Sequence, residues 1–229
     1  MKDISLIAFD ADDTLWECQT YFEAVEKEYC ELLKSYASAD EISKALFAVE
    51  TANMPLLGYG SKAFLLSLLE NAIEVSEGRL KTDEVKKIIK LGKELLQLPG
   101  KPMDGVEETL KVLRERGEYH LVVFTKGELL DQENKFLRSG LKPYFDDIIV
   151  VSDKTEASYY QLCERFSINV EQLLMVGNSF RSDIEPVLKL GGWAAHIPFH
   201  TTWQHEVVEE YEHPHLLKLE YFTQLNQVL

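Results

Sequence analysis

Short apolar segments alternate with helix-like segments over much of this sequence, and that alternation restricts the possible folds more than any other feature. The apolar segments are predicted as strands at residues 4–9, 120–124, 147–151, 173–176 and 193–197. Helices are predicted at residues 104–116, 129–139, 155–166 and 182–190. Strands that alternate with helices pair in parallel sheets covered on both faces. The sequence therefore predicts an α/β fold with a Rossmann-like, doubly wound parallel sheet.

A purely helical stretch interrupts this pattern after the first predicted strand. Apolar residues recur there at helical spacing, as at Ile42, Leu46 and Val49, and no segment between Glu17 and Leu98 is typical of a strand. We therefore expect a core domain formed by residues 1–15 and 99–229, with an all-helical domain inserted at residues 16–98.

Polar residues follow the predicted strands where the strands end. They are Asp10, Asp12, Thr125, Lys154, Asn178 and Asp183. In open α/β sheets, ligands bind at the edge formed by the carboxyl ends of the strands. Each residue alone has an ordinary explanation, such as a turn, a helix cap or a solvated lysine. Their shared position at one sheet edge favours a functional site.

The charge balance limits the partners of this chain. The formal net charge of its 229 residues is −15, from 39 acidic and 24 basic residues. Nucleic acids and anionic membranes are bound through Lys/Arg patches, and the sequence contains no basic stripe, so we expect neither as a partner. An acidic protein also repels anionic substrates. A phosphate site here would need its own positive charge, from a metal ion or a lysine.

The location of the protein is predicted from what the sequence lacks. The N-terminus has no signal-peptide pattern, and no apolar stretch approaches the ~20 residues that cross a bilayer. The three cysteines are widely spaced, which suggests neither a disulfide framework nor a zinc knuckle. We therefore expect a cytoplasmic protein.

Two carboxylates spaced i and i+2 after a strand suit nucleophilic chemistry at phosphorus. Asp10 could attack directly and form an aspartyl-phosphate. Asp12 could donate a proton to the leaving oxygen and then deprotonate the hydrolytic water. Asp183 with Asn178 could hold a hard divalent cation through oxygen ligands, and Mg²⁺ is the usual choice beside phosphate.

The remaining polar residues suit phosphate binding. The Thr125 hydroxyl and the backbone N–H groups of Lys126 and Gly127 could hold phosphoryl oxygens. Lys154 would neutralise charge in the transition state, because phosphoryl transfer depends mainly on positioning and electrostatics. The predicted partner is a small phosphorylated metabolite.

Four segments of the chain resemble the motifs of the haloacid dehalogenase (HAD) superfamily. The first is IAFDADDTL at residues 7–15, which is highly specific. The second and third are VVFTKG at residues 122–127 and SDK at residues 152–154, and the fourth is VGNSFRSDI at residues 176–184. The resemblance extends over essentially the whole chain, and the helical insertion resembles the C1-type cap of these enzymes.

The resemblance implies a phosphatase-type hydrolase and a role for each matching residue. Asp10 would be the nucleophile, Asp12 the acid and base, and Thr125 and Lys154 the phosphate anchors. Asp10, the Asp12 carbonyl and the fourth motif would form the Mg²⁺ site. The fourth motif of the family usually begins Gly-Asp, whereas this chain has Asn178 at the second position. An amide oxygen can bind Mg²⁺ but brings no charge, so we expect either weaker metal binding or a larger share of it for Asp183.

Other activities of the same superfamily remain alternatives. Haloacid dehalogenases act at carbon and generally lack a carboxylate two residues after the nucleophile, so Asp12 favours phosphate chemistry. A phosphomutase shares the first motif and the core. A weakly active or non-catalytic binding protein is a third alternative, because Asn178 lacks the usual charge.

Five histidines lie close together near the C-terminus, at His196, His200, His205, His213 and His215. Their spacing matches no compact zinc motif, and the segment is rich in glutamate. A solvated loop is the preferred interpretation.

Overall fold

The structure is a computed structural model that describes residues 3–229. It divides into two compact units, one formed by Met1–Gln19 and Pro99–Leu229 and the other by Thr20–Leu98. Met1 and Lys2, which the sequence assigned to the core domain, lie outside the described residues. The division also differs from the predicted boundary at residue 16, because Trp16 is fully buried in the apolar core of the first unit.

The first unit contains one sheet of six parallel strands in the order β3-β2-β1-β4-β5-β6. The strands β1 to β6 span Leu6–Phe9, His120–Lys126, Asp147–Val151, Leu173–Gly177, Trp193–His196 and Leu216–Lys218. This order reverses between β1 and β4, which is the topological switch point of a doubly wound sheet. The Rossmann-like fold predicted from the sequence is confirmed. The sixth strand was missed because only three residues of a His- and Glu-rich segment pair with β5.

Helices connect the strands and provide the inserted segment. Those of the insertion, α1 to α4, span Gln19–Leu33, Ala39–Leu57, Ser61–Val75 and Thr82–Leu95. Those of the first unit, α5 to α9, span Val106–Arg116, Leu129–Ser139, Glu156–Phe166, Glu185–Lys189 and Leu225–Val228. The predicted all-helical character of the insertion agrees with these elements. None of the helices within residues 3–229 combines the length and apolar composition needed to cross a membrane.

The central strand β1 is buried on both faces of the sheet. Ile7 and Phe9 pack in one apolar cluster, while Leu6 and Ala8 pack in a second cluster on the opposite face. A strand covered on both sides reads as a continuous apolar run, which explains why this segment was recognised from the sequence. The buried strand fixes the position of the residue that follows it, Asp10.

The helix predicted at residues 182–190 is irregular in its first half. A π-helical turn spans Phe180–Ile184, and α8 begins only at Glu185. Pro186 lies in the first turn of α8, where its missing N–H is tolerated, and the Ser179 hydroxyl accepts a hydrogen bond from the Ser182 N–H. This local geometry determines the position of Asp183.

Candidate active site

The carboxyl ends of the four strands β1 to β4 bring the predicted polar residues to one edge of the sheet. Asp10 directly follows β1, and its backbone N–H donates to Val176 O of the neighbouring β4. Thr125 lies at the end of β2, Lys154 follows β3, and Asn178 follows β4. The site therefore lies at the switch point of the sheet, where ligands bind in this architecture.

The centre of the site is a buried cluster of two carboxylates and one lysine. Lys154 Nζ donates to Asp10 Oδ1 at 2.5 Å and to Asp183 Oδ1 at 2.7 Å. Asp183 Oδ2 accepts a further hydrogen bond from the Ser179 N–H at 3.0 Å. The side chains of Lys154 and Asp183 are each 1% exposed, and that of Asp10 is 10% exposed. Residues 144 positions apart are thus joined in one ion-pair network.

The cluster has an excess of negative charge. Burial, opposed by Lys154 and reinforced by the nearby Asp183 carboxylate, raises the pKa of Asp10 to about 7. Burial also raises the pKa of Asp183. Burial alone would lower the pKa of Lys154, but Asp10 and Asp183 beside it raise that pKa above its usual value. One ammonium therefore serves two buried carboxylates, and a further cation would stabilise their ionised forms.

Two side-chain oxygens that contact the Thr14 hydroxyl are arranged in a way that suits Mg²⁺. The Thr14 hydroxyl lies 3.1 Å from both Asp10 Oδ2 and Asn178 Oδ1, and it accepts a hydrogen bond from the Asn178 N–H. A carboxylate oxygen and an amide oxygen thus converge on one point, beside a cluster that lacks positive charge. Within residues 3–229, no group of three His, Cys, Asp or Glu side chains could hold a metal ion. A site with few charged ligands, all of them hard oxygens, fits Mg²⁺, because this ion keeps several waters and is usually bound together with a substrate phosphate.

The Asp12 carboxylate is held by three side chains. Lys135 Nζ donates to both of its oxygens at 2.7 Å, Trp16 Nε1 donates to Oδ1 at 2.8 Å, and Gln132 Nε2 donates to Oδ2 at 2.9 Å. Burial would raise the pKa of Asp12, but Lys135 and these hydrogen bonds lower it below its usual value. Since every neighbour donates, Asp12 is held in its ionised form, which is the form that a general base needs.

Thr125 is linked to the Asp12 carboxylate by the side-chain amide of Gln132, which contacts both residues. The Gln132 Nε2 is 3.0 Å from Thr125 Oγ1 and 2.8 Å from Lys126 O as well as 2.9 Å from Asp12. The amide approaches closely because the neighbouring residue is Gly127, with φ +138°, where a Cβ would stand 3.1 Å from the Gln132 nitrogen. Thr125 is 1% exposed and is therefore held firmly in place.

The structure differs from the sequence prediction for the backbone N–H of Gly127. That N–H donates to Val151 O at 3.1 Å and so belongs to the sheet edge. The prediction treated residues 125–127 as a loop beyond the strand, but β2 continues through Lys126. In this structure the Gly127 N–H is committed to a protein acceptor and is not available to bind phosphate.

The Lys126 side chain connects the second motif to the C-terminal segment. Its ammonium pairs with Glu206 and donates to Ser182 Oγ at 2.9 Å, and Ser182 Oγ lies 2.9 Å from Glu206. Glu206 has a side chain that is only 11% exposed. The interpretation of the histidine-rich segment as a solvated loop is therefore wrong at two positions. His196 is buried in β5, and a short helical turn over Gln204–Glu206 brings Glu206 to the site edge.

Comparisons with known proteins agree with this fold. The sequence model of the haloacid dehalogenase-like hydrolase family matches residues 4–191. A haloacid dehalogenase-like family hydrolase from Xanthomonas campestris has a solved structure that is 34% identical, with a TM-score of 0.89, over 99% of this chain and 90% of that one. The glyceraldehyde 3-phosphate phosphatase of Methanocaldococcus jannaschii is 25% identical over 192 residues, which are 81% of each chain.

A third relative shows only the shared fold. The 2-haloacid dehalogenase from Pseudomonas syringae pv. Tomato DC3000 is 18% identical, with a TM-score of 0.64, over 98% of this chain and 97% of that one. The family match covers well over half of the chain, and all four motifs predicted from the sequence lie within it. The chain belongs to the haloacid dehalogenase-like hydrolase family.

Proposed function

We propose that this protein is a Mg²⁺-dependent phosphohydrolase that cleaves a small phosphomonoester through an aspartyl-phosphate on Asp10. The observation that carries the proposal is the buried Asp10–Lys154–Asp183 cluster at the switch point of the sheet, with Asp12 two residues after Asp10. The phosphatase among the relatives supports a phosphorylated metabolite as substrate. The three buried free cysteines are in keeping with a reducing cytoplasm.

Asp10 would act as the nucleophile in the first half-reaction. Its carboxylate attacks phosphorus, the bond to the leaving oxygen breaks, and the phosphoryl group remains on Asp10. Lys154 stabilises the charge that develops on the phosphoryl oxygens, and the Thr125 hydroxyl donates to one of them. Asp10, Asn178, the Asp12 carbonyl and Asp183 would hold Mg²⁺, which when bound supplies positive charge to the phosphoryl oxygens.

Asp12 would transfer the protons in both half-reactions. In the second half-reaction, water attacks phosphorus, its proton passes to the Asp12 carboxylate, and the bond between phosphorus and the Asp10 oxygen breaks to release phosphate. The proton then held by Asp12 can pass to the leaving oxygen of the next substrate. Because all its neighbours donate, the arrangement of Asp12 matches the base role most directly.

The test of this proposal is phosphate release from para-nitrophenyl phosphate and a panel of metabolite phosphates. We expect turnover with Mg²⁺ that EDTA abolishes and that added Mg²⁺ restores. Chloride release from 2-chloropropionate, measured in parallel, separates phosphatase from dehalogenase chemistry. Chloride release without phosphate release would overturn the proposal, as would phosphate release that is indifferent to EDTA.

Replacing Asn178 by Asp is expected to strengthen metal binding. The amide oxygen of Asn178 contacts the same Thr14 hydroxyl as Asp10, and a carboxylate there would add a charged ligand of the kind that sets affinity in oxygen-ligand sites. We expect the Mg²⁺ concentration for half-maximal activity to fall about tenfold, since changes around metal ligands alter affinity ~10- to 100-fold. The measurement is a Mg²⁺ titration of phosphate release. An unchanged or higher half-maximal concentration would mean that residue 178 does not limit metal binding.

A further inference from the structure

The three groups that hold Asp12 come from two different parts of the chain. Trp16 lies four residues after Asp12, whereas Lys135 and Gln132 lie on α6, more than 100 residues away. Lys135 is 3% exposed, and its described hydrogen bonds go to the two Asp12 oxygens and, weakly, to Cys18 Sγ at 3.9 Å. An ammonium buried to this extent is stable only when it is paired.

The geometry of these contacts fixes the orientation of the Asp12 carboxylate as well as its position. Lys135 contacts both oxygens, so the plane of the carboxylate cannot rotate without lengthening one contact. Trp16 and Gln132 each take one further acceptor direction on opposite oxygens. The same Gln132 amide contacts Thr125 Oγ1, so Asp12 is held next to the residue proposed to bind the phosphoryl group.

From this geometry we infer that Lys135 is a positioning residue, which orients Asp12 to receive the proton of the water that hydrolyses the phosphorylated Asp10. The inference rests on the proposed function and adds to it the residue that prepares the second half-reaction. In that step the water oxygen bonds to phosphorus, the water proton moves to Asp12, and the Asp10 oxygen leaves with its electron pair. Lys135 itself exchanges no proton and contacts no substrate.

If Lys135 formed only a structural ion pair with Asp12, the kinetics of its variants would differ from those expected for a positioning residue. Para-nitrophenolate leaves without needing a proton, so kcat/KM for para-nitrophenyl phosphate reports the first half-reaction independently of Asp12. The value of kcat includes hydrolysis of the phosphorylated Asp10. We expect Lys135→Met to lower kcat about 10- to 100-fold, as misplacement of a catalytic group does, and to leave kcat/KM within about threefold. A burst of para-nitrophenol should precede the slow steady state.

Two further variants complete the kinetic experiment. Lys135→Gln retains a hydrogen-bond donor and serves if Lys135→Met does not fold, with the same selective loss of kcat expected at smaller size. Arg114→Met is the matched control, because Arg114 pairs with Asp146 near the opposite edge of the sheet at 2.7 Å. Both kinetic constants should be unchanged in the control. Equal losses of kcat and kcat/KM in the Lys135 variants, or no loss, would overturn the inference.

A crystal structure of the Lys135→Met protein tests the positioning role without any activity. We expect the Asp12 carboxylate to adopt another orientation, or several, while Asp10, Lys154 and Asp183 keep their contacts. An Asp12 that stays in place, held by Trp16 and Gln132 alone, would refute the role of Lys135 whatever the enzyme does. If the wild-type protein releases no phosphate, the proposed function fails, and this structural result still decides the positioning role.

Discussion

Asp10→Asn is expected to lower Mg²⁺-dependent phosphate release from para-nitrophenyl phosphate by at least ~10³-fold, because an amide cannot form the acyl-phosphate bond. The side chain is isosteric with aspartate, so the contacts of Asp10 with Thr14 and the sheet can largely persist. The substitution also removes one negative charge from a buried cluster that already has too many. We therefore expect the variant to fold, with an unchanged circular dichroism spectrum.

The matched control for this experiment is Asp3→Asn. Asp3 is exposed and lies three residues before the same strand, on the side of the sheet away from the site. The same chemical change there should leave kcat and KM unaltered. Activity that survives in Asp10→Asn while the control behaves normally would exclude an aspartyl-phosphate on this residue. Acid-stable phosphate retained on the variant would point to a different nucleophile.

The core of the fold could be predicted from the sequence because its strands are buried on both faces. Such strands read as uninterrupted apolar runs between turn residues, as in the segment before Asp10. Their parallel arrangement places every carboxyl end at one edge, so residues far apart in sequence could be assigned to one site. The contacts that join Asp10, Lys154 and Asp183 agree with that reasoning.

The residues around Asp12 could not be found in the same way, because α6 buries polar side chains while some of its leucines are exposed. Gln132 and Lys135 are buried, whereas Leu130 and Leu137 are 57% and 60% exposed. Hydrophobic periodicity predicts that leucines face the core and lysines face solvent. Gln132 and Lys135 can face inward because both donate hydrogen bonds to the Asp12 carboxylate, which a reading of α6 alone does not show.

The contacts of the C-terminal segment could not be predicted from the sequence for a different reason. Glu206 reaches Lys126 across 80 residues through a segment without regular periodicity, and nothing in a glutamate-rich sequence marks one glutamate as buried. The strand β6 is likewise too short to produce a pattern. Side chains placed by long irregular segments depend on tertiary contacts, which local sequence does not encode.

The net negative charge of the whole chain has a counterpart at the site, where carboxylates outnumber the lysines that pair with them. With a formal net charge of −15, the surface as a whole repels phosphate esters. Lys154 and Lys135 are each nearly fully buried at the sheet edge, and Lys126 is close by with a side chain 16% exposed. Each is paired with at least one carboxylate, so their charges offset only part of the negative charge of the site. The shortage of positive charge that remains around Asp10 and Asp183 is what makes a divalent cation a reasonable partner.

Gly177→Ala is the second substitution from which we expect a large effect. Gly177 ends β4, and a Cβ built there would lie 2.2 Å from Asp183 Oδ2 and 2.6 Å from Asp183 Cβ. Because the Cβ is fixed to the backbone, Asp183 could not avoid the added methyl group by rotating its carboxylate alone. The side chain must therefore move away from Lys154 and from the Ser179 N–H, which it contacts at 2.7 Å and 3.0 Å.

The expected result of Gly177→Ala is a loss of kcat/KM of at least ~100-fold, because displacement of a catalytic array by about 1 Å has that effect. We also expect a loss of about 1–3 kcal/mol in the free energy of unfolding, measured with urea, from overpacking. Gly117→Ala separates the two effects: its Cβ meets nothing within 4 Å, but its φ of +66° strains alanine. That control should lose stability and keep its activity. If Gly177→Ala also keeps its activity, the position of Asp183 is not what holds Lys154 ready for phosphate, and Asp10 alone must orient the lysine.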